Sequence, residues 1–261
     1  MIVSGIINLD KYAGDSSARA LHAAKQCLPR NAKVGHAGTL DPFSTGVLVV
    51  LVGAATRTCE SFMNTPKQYL ATVRFGATTP TDDPTEPATA WPGEVKPFAL
   101  EQLLACLPAL TGRIIQRPPA FSALRVGGKR AYELARRGRE VPLAPRPVNV
   151  YALELLDYSW PLAKLRIDCG RGTYVRAIAR DLGEALNVGA YLTELRRTRV
   201  GPYEVSQGVT VDRLRAEGFA AHLHPVPDLS TMIDSWQVAG VTKSPAESTA
   251  IRTFFGRDES L

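Results

Sequence analysis

The sequence predicts an α+β protein built around a mixed or antiparallel central sheet that is flanked by helices. Strand-like and helix-like segments do not alternate regularly along the chain, as they would in a doubly wound α/β protein. The run VLVVLVG is continuously apolar, which is typical of a strand buried on both faces. With 261 residues, 45% of them apolar, the chain is long enough for one large domain, or one domain with a small appendage, with its own core.

The first third of the chain predicts three strands and two helices. SGIINL predicts a strand, and DSSARALHAAKQCL predicts a helix that is capped by Asp15 or Ser16. A glycine-rich loop leads into the VLVVLVG strand, and TRTCESFMN is predicted to be helical. KQYLATVRFG predicts a strand with Tyr69 on its more apolar face. The Thr-, Pro- and Asp-rich segment that follows predicts a long loop.

The remaining segments complete the core. LEQLLACLPAL and AYELARRG predict helices, the second of which ends at Gly138. RPVNVYALELLDYSW and LAKLRIDCG predict paired strands, and in the second the apolar residues alternate with Lys164, Arg166 and Asp168. TYVRAIARDLGEAL predicts an amphipathic helix with an apolar stripe that includes Val175 and Leu182. AYLTELRRTRVGPY predicts a closing strand, and VDRLRAEG a further helix.

Charge is unevenly distributed along the chain. The net charge is +6, and Lys and Arg greatly outnumber acids between Arg113 and Arg146, whereas the stretch from Asp82 to Glu101 is acidic. This asymmetry predicts either a surface that faces a polyanion or an ordinary solvated basic face. The four cysteines are scattered and no signal-peptide pattern is present, so we expect a cytoplasmic protein with reduced thiols and no metal site. The longest apolar run is too short to span a bilayer.

The stretch GHAGTLDPFSTG places Asp41 on a tight loop before a buried strand. An Asp-Pro pair favours a turn, and such an aspartate often only hydrogen-bonds its own backbone. Alternatively, a rigidly held carboxylate can act as nucleophile or base at a sugar anomeric centre. Such a carboxylate needs a positive partner to stay ionised, and Arg176 is a candidate. Tyr69 is interpreted either as a core residue or as a ring that stacks on a flipped base.

Four motifs, taken in order, indicate a family. GHAGTLDPFSTGVLVVLVGAATR, KQYLATVRFGATTPTDD, QRPPAFSALRVGGKRAYELARRG and GRGTYVRAIARDLGEAL…LTELRRTRVGPY resemble the TruB family of tRNA pseudouridine synthases. The resemblance covers roughly Ser4 to Tyr203. It implies the pseudouridine-synthase fold with an inserted RNA-gripping segment, and isomerisation of uridine 55 in the T loop of tRNA without a cofactor.

The resemblance also implies roles for individual residues. Asp41 matches the family's catalytic aspartate, Tyr69 the tyrosine that stacks on the base, and Arg176 the arginine that pairs with the aspartate. His36 matches the histidine that helps to hold the flipped-out RNA. Tyr174 and Leu195 match positions that line the uridine site.

The match has departures, and two other functions remain open. The family usually begins with Lys-Pro-x-Gly-x-Thr-Ser, but here the segment is KYAGDSS, a change that is expected to touch none of the catalytic positions.

We expect a catalytic domain at residues 1–205 with its insertion at about 113–146, and a tail at 206–261 without a recognisable PUA domain. The expected partner is the T-arm stem-loop of tRNA, bound by a monomer without a guide RNA or a membrane. The alternatives are a tRNA-folding chaperone with little catalysis and a dyskerin-like, guide-dependent rRNA synthase.

Overall fold

The computed structural model describes residues 3–122, 124–126, 129–135 and 143–229. Its helices are α1 (Ser17–Gln26), α2 (Cys59–Asn64), α3 (Leu100–Cys106), α4 (Ala131–Ala135), α5 (Val175–Ala185) and α6 (Val211–Glu217). Its strands are β1 (Gly5–Lys11), β2 (Val34–His36), β3 (Thr45–Val52), β4 (Lys67–Phe75), β5 (Ala77–Thr78), β6 (Thr89–Ala90), β7 (Gly112–Gln116), β8 (Arg125–Val126), β9 (Lys129–Arg130), β10 (Arg146–Ser159), β11 (Leu162–Cys169), β12 (Ala190–Val200) and β13 (Tyr203–Glu204). No helix in these ranges is both long and apolar enough to cross a membrane.

The described residues form two compact units, one made of those up to residue 70 and from residue 195 onward, and the other of those between residues 71 and 194. In the first unit, β3 pairs antiparallel with β1 and β2 and parallel with β12, so the sheet is mixed. In the second unit, β10 pairs antiparallel with both β7 and β11. These arrangements confirm the predicted α+β class.

Strand β3 is buried on both faces, as its continuous apolar run predicts. Val47, Val49 and Leu51 pack into a cluster that also contains Phe62. The alternate residues Leu48, Val50 and Val52 pack into a second cluster that includes the buried face of α1. Because a strand's side chains alternate between its two faces, one apolar run fills both layers of the first unit's core.

The predicted strand LAKLRIDCG forms as β11, but its polar face is not exposed. Arg166 and Asp168 are as deeply buried as their apolar neighbours. Arg166 donates to the carboxylate of Glu154 on β10 at 2.6 Å, and its Nε lies 3.8 Å from Asp168. Charged groups are buried when they are paired, which an alternating sequence pattern does not reveal.

The structure defines several of the predicted segments more closely. Helix α1 is capped by Ser16, whose hydroxyl accepts a hydrogen bond from the backbone N–H of Arg19. The α-helix in LEQLLACLPAL ends at Cys106 and continues as a 3₁₀ turn that contains Pro108. The predicted long loop after β4 contains the short hairpin β5–β6. The predicted end of AYELARRG at Gly138 lies outside the described residues.

Candidate active site

Asp41 lies on the segment of residues 37–46, which connects β2 to β3 and includes the first two residues of β3. We call this segment the Asp41 loop. The residues on either side of Asp41 are fixed by hydrogen bonds. The buried hydroxyl of Ser17 accepts from the N–H of Leu40 at 2.8 Å and donates to its carbonyl at 3.0 Å. The N–H of Gly14 donates to the carbonyl of Pro42 at 2.8 Å. Asp41 itself is partly exposed, so a rigid backbone presents its carboxylate at the surface of the first unit.

A buried lysine also holds this loop. Lys11 Nζ donates to the carbonyls of Tyr12 at 2.8 Å, Asp15 at 2.7 Å and Pro42 at 3.3 Å. Burial lowers the pKa of Lys11 from 10.5 to about 8, and the negative charges of Asp15 and Asp41 oppose this shift. Lys11 therefore remains mainly protonated at neutral pH, and its positive charge favours the ionised form of Asp41.

The Asp41 loop ends at Gly46, where the backbone has a φ of 102°. A Cβ at this position would overlap the backbone of Arg197, which pairs with Gly46 across the parallel β12–β3 ladder. We expect Gly46→Ala to lower the free energy of unfolding by about 2–5 kcal/mol, because a positive φ costs about 1–2 kcal/mol and overpacking about 1–3 kcal/mol. Urea unfolding followed by circular dichroism measures the loss.

The matched control for Gly46 is Gly14, which has a φ of 85° and no atom within 4 Å of the place that a Cβ would occupy. Gly14→Ala should lower the free energy of unfolding only by the cost of a positive φ, about 1–2 kcal/mol. Equal losses in the two variants would mean that close approach of the β12 backbone is unimportant at the end of the loop.

The other candidate residues of the first unit are His36, Tyr69 and Leu195. His36 ends β2, next to the Asp41 loop, and its buried Nδ1 has no hydrogen-bond partner among the described residues. Burial, and secondarily the charge of Arg197, lower the pKa of His36, so its imidazole is neutral at pH 7. Tyr69 on β4 is partly exposed, whereas Leu195 on β12 is buried.

Arg176 and Tyr174 belong to the second unit. Arg176 lies in the first turn of α5 and is only 3% exposed, although the sequence pattern places it just off the apolar stripe. Its Nη1 donates to the carbonyl of Thr81 at 2.7 Å and lies 3.3 Å from the carboxylate of Asp83. Its Nη2 donates to the carbonyl of Phe121 at 2.9 Å. The guanidinium is therefore fixed in position and orientation.

Asp83 is itself fixed by its surroundings. Its carboxylate accepts hydrogen bonds from the hydroxyl of Thr81 at 2.7 Å and from the N–H of Thr85 at 2.9 Å. The hydroxyl of Thr79 binds both the N–H and the carbonyl of Asp83. These hydrogen bonds hold the carboxylate of Asp83 in place as the partner of the buried guanidinium of Arg176.

Tyr174 immediately precedes α5, and its backbone is bound by a buried amide. Gln116 Nε2 donates to the carbonyl of Tyr174 at 3.1 Å, and Gln116 Oε1 accepts from its N–H at 2.8 Å. The guanidinium carbon of Arg146 lies 5.4 Å from the centre of the Tyr174 ring, within the range of a cation–π interaction. These contacts fix the start of the helix that carries Arg176.

Sequence reasoning missed Lys11, Ser17, Asp83 and Gln116. Lys11 and Ser17 lie in the KYAGDSS segment, outside the positions that the resemblance singled out, and they bind the backbone of both neighbours of Asp41. A signal for Asp83 was present in the TPTDD part of a matched motif. Gln116 is the first residue of the matched motif QRPPAFSALRVGGKRAYELARRG, but a glutamine there gives no indication of its partner.

Comparison with known proteins shows the family to which the chain belongs. The family model described as "TruB family pseudouridylate synthase (N terminal domain)" matches residues 25–175, and the model of the "tRNA pseudouridylate synthase B C-terminal domain" matches residues 176–233. The chain belongs to the TruB family. The resemblance seen in the sequence motifs is thereby confirmed.

Curated TruB relatives are similar over most of the chain. A "tRNA pseudouridine synthase B" of Aromatoleum aromaticum is 47% identical over 82% of this chain and 69% of its own length. Another, from Corynebacterium jeikeium, is 40% identical over 82% of this chain and 72% of its own length. The structure is also similar to a chain solved in "a Cbf5-Nop10-Gar1 Complex", with a TM-score of 0.62 and 31% identity over 81% of this chain. This chain spans about half (54%) of that protein, and the similarity supports the fold.

Proposed function

We propose that this chain isomerises uridine 55 in the T loop of tRNA to pseudouridine. The observation that carries the proposal is the Asp41 loop of a TruB-family chain, in which Leu40 and Pro42 are both held by hydrogen bonds. The reaction breaks the bond from N1 to C1′ of the ribose and forms a bond from C5 to C1′. The proton on C5 is lost and N1 gains one, so atoms balance without a cofactor.

Asp41 is the residue that acts on the ribose. Its carboxylate attacks C1′ or removes a ribose proton to give a glycal, and both routes require an ionised carboxylate at a fixed position. A target base inside a folded RNA loop must first be flipped out of its stack. Because misplacement by about 1 Å is costly, hydrogen bonds on both sides of Asp41 favour the reaction.

The other site residues have supporting roles in this proposal. Tyr69 stacks on the uracil and assists loss of the C5 proton, a role that agrees with its partial exposure. Arg176 provides the fixed positive charge that pairs with Asp41. His36, which is partly exposed, holds the flipped-out RNA conformation. Tyr174 and Leu195 line the uridine site.

In this proposal, residues 1–205 are the catalytic domain, which includes the basic insertion at about 113–146, and residues 206–261 are a tail. The protein acts on tRNA in the cytoplasm, as a monomer and without a guide RNA. The guide-dependent alternative is less well supported, since identity to the curated tRNA pseudouridine synthases reaches 47% whereas identity to the chain from the Cbf5-Nop10-Gar1 complex is 31%. The deciding experiment is incubation of the purified chain with an unmodified tRNA transcript alone, followed by mapping of pseudouridine.

We expect an isolated T-arm stem-loop to be bound and modified, with an affinity that falls steeply as salt increases. Arg113 and Arg117 are exposed, and neutralised phosphates release counterions. Replacing Arg136, Arg137 and Arg139, which lie outside the described residues, with alanine should weaken binding about equally for all loop sequences. The rate of the chemical step at saturating RNA should change little. Binding and single-turnover rates at two salt concentrations measure both effects.

Tyr69→Ala is the counterpart in this experiment. It should spare most of the affinity and slow the chemical step, because the ring contacts the base and not the phosphates. If the wild type ignores the stem-loop but modifies full-length tRNA, then another surface must bind distant parts of the substrate, and the assignment of affinity to residues 113–146 is wrong.

A further inference from the structure

Two consecutive arginines of β12 have different environments. Arg196 is partly exposed, and its two terminal nitrogens donate to the carboxylate of Asp10 on β1 at 2.8 and 3.2 Å. Arg197 faces the opposite side of the strand and is only 1% exposed. A buried guanidinium without a specific partner would destabilise the protein strongly, so the contacts of Arg197 need an explanation.

The contacts of Arg197 are two backbone carbonyls. Its Nε donates to the carbonyl of Val47 at 2.7 Å, and its Nη2 donates to the carbonyl of Gly38 at 3.0 Å. No carboxylate of the described part of the chain lies within ion-pair distance of this guanidinium. Unlike the guanidinium of Arg196, that of Arg197 therefore donates its hydrogen bonds to main-chain carbonyls alone.

Those two carbonyls mark the two ends of the Asp41 loop. Gly38 lies three residues before Asp41, and Val47 is the third residue of β3. A rigid planar guanidinium thus fixes the distance between the chain entering the loop and the chain leaving it. The backbone of Arg197 also pairs with Gly46 in the parallel ladder, which brings β12 against the same end of the loop.

The charge of Arg197 interacts electrostatically with titratable groups next to the Asp41 loop. It contributes to lowering the pKa of Lys11 and that of His36, which lie on the two segments next to the loop. Lys11 in turn interacts electrostatically with Asp41. A buried positive charge beneath the loop favours an ionised carboxylate on it.

We propose that Arg197 is a positioning residue for Asp41. Its guanidinium connects the two ends of the Asp41 loop and adds a buried positive charge beneath the loop. This inference rests on the proposed function, since it assumes that Asp41 performs the chemistry. Arg197 acts through the loop and makes no contact with the reacting atoms. A lysine at the same position keeps the charge but binds the two ends less well, because it lacks the fork of donors.

The test compares Arg197→Gln and Arg197→Lys with the control Arg196→Gln, which removes one charge from the adjacent residue. At saturating tRNA, we expect single-turnover rates to fall roughly 100-fold in Arg197→Gln, the scale of a misplaced catalytic group, and less in Arg197→Lys. The dissociation constant for tRNA should stay within about threefold of the wild type in both variants. Arg196→Gln should retain a rate close to that of the wild type.

Two measurements on the free protein separate positioning from simple destabilisation. Hydrogen exchange of the Ser44 amide, which donates to the carbonyl of Asp41 at 3.1 Å, should accelerate in both Arg197 variants by more than their loss of global stability explains. The pKa of His36, followed by NMR, should rise in Arg197→Gln and remain low in Arg197→Lys and Arg196→Gln. These readouts do not depend on activity.

The proposal is overturned if Arg197→Gln and Arg196→Gln lose activity equally. It is also overturned if the loss in the Arg197 variants equals the fraction of unfolded protein while the exchange of Ser44 is unchanged. If Arg197→Gln does not fold, Arg197→Lys decides by the same rate and exchange measurements. If the wild type forms no pseudouridine although the Ser44 and His36 results are as expected, then the proposed function fails and the role of Arg197 in fixing the loop stands.

Discussion

Asp41→Asn is expected to abolish pseudouridine formation while the RNA remains bound. The amide has nearly the shape of the carboxylate, but it neither attacks C1′ nor removes a ribose proton. The expected loss is on the order of 10⁴-fold or more, the scale seen when a residue that reacts with the substrate is removed. Mapping of pseudouridine in a tRNA transcript after single-turnover incubation measures it, and filter binding measures the retained affinity.

The fold of this variant should be intact, because the hydrogen bonds that hold the loop act on the neighbours of Asp41. Ser17 binds the backbone of Leu40, and Lys11 binds the carbonyl of Pro42. Asp15→Asn is a matched control, since it removes the other carboxylate that interacts with Lys11 and lies outside the proposed site. Turnover by Asp41→Asn at a rate near that of the wild type would refute the assignment, and activity lost equally in both variants would point to Lys11 instead.

The sequence predicted the elements whose hydrophobic pattern favours one type of secondary structure. A short continuous apolar run that is rich in valine and bounded by glycines favours a strand buried on both faces, and β3 shows this. The alternating pattern of β11 predicted the strand but not its burial. Arg166 and Asp168 are shielded by ion pairing, and which charges pair depends on the neighbouring strand.

The sequence indicates candidate site residues where they stand in a motif, and it does not indicate residues that hold the Asp41 loop from distant segments of the chain. Asp41 and Arg176 stand in recognisable motifs, and the matches to the TruB family agree with those motifs. Lys11, Ser17 and Arg197 act on backbone atoms of the Asp41 loop that are 23 to 159 positions away in the chain. A backbone carbonyl has no sequence signature, so such contacts become visible only in the folded structure.

Arg176→Lys is expected to reduce the rate of the chemical step by about 100-fold or more, although the positive charge is kept. The guanidinium of Arg176 donates in two directions, through Nη1 to the carbonyl of Thr81 and through Nη2 to that of Phe121, while Nη1 also faces Asp83. An ammonium group cannot reproduce this planar fork. A charged group that is misplaced by about 1 Å relative to the reacting atoms costs roughly 100-fold in rate. Single-turnover kinetics at saturating tRNA measures the effect.

Arg180→Lys is the control on the same helix, because Arg180 also binds carboxylates, those of Asp82 and Asp181 at 3.3 and 2.8 Å. If a fixed guanidinium is needed specifically at residue 176, then Arg180→Lys keeps most of the activity and both variants bind tRNA normally. Retained turnover in Arg176→Lys would show that Arg176 serves packing or phosphate contact. A loss in Arg176→Lys that appears only in tRNA affinity would have the same meaning, since a group that stabilises the ionised Asp41 should affect the rate of the bound complex.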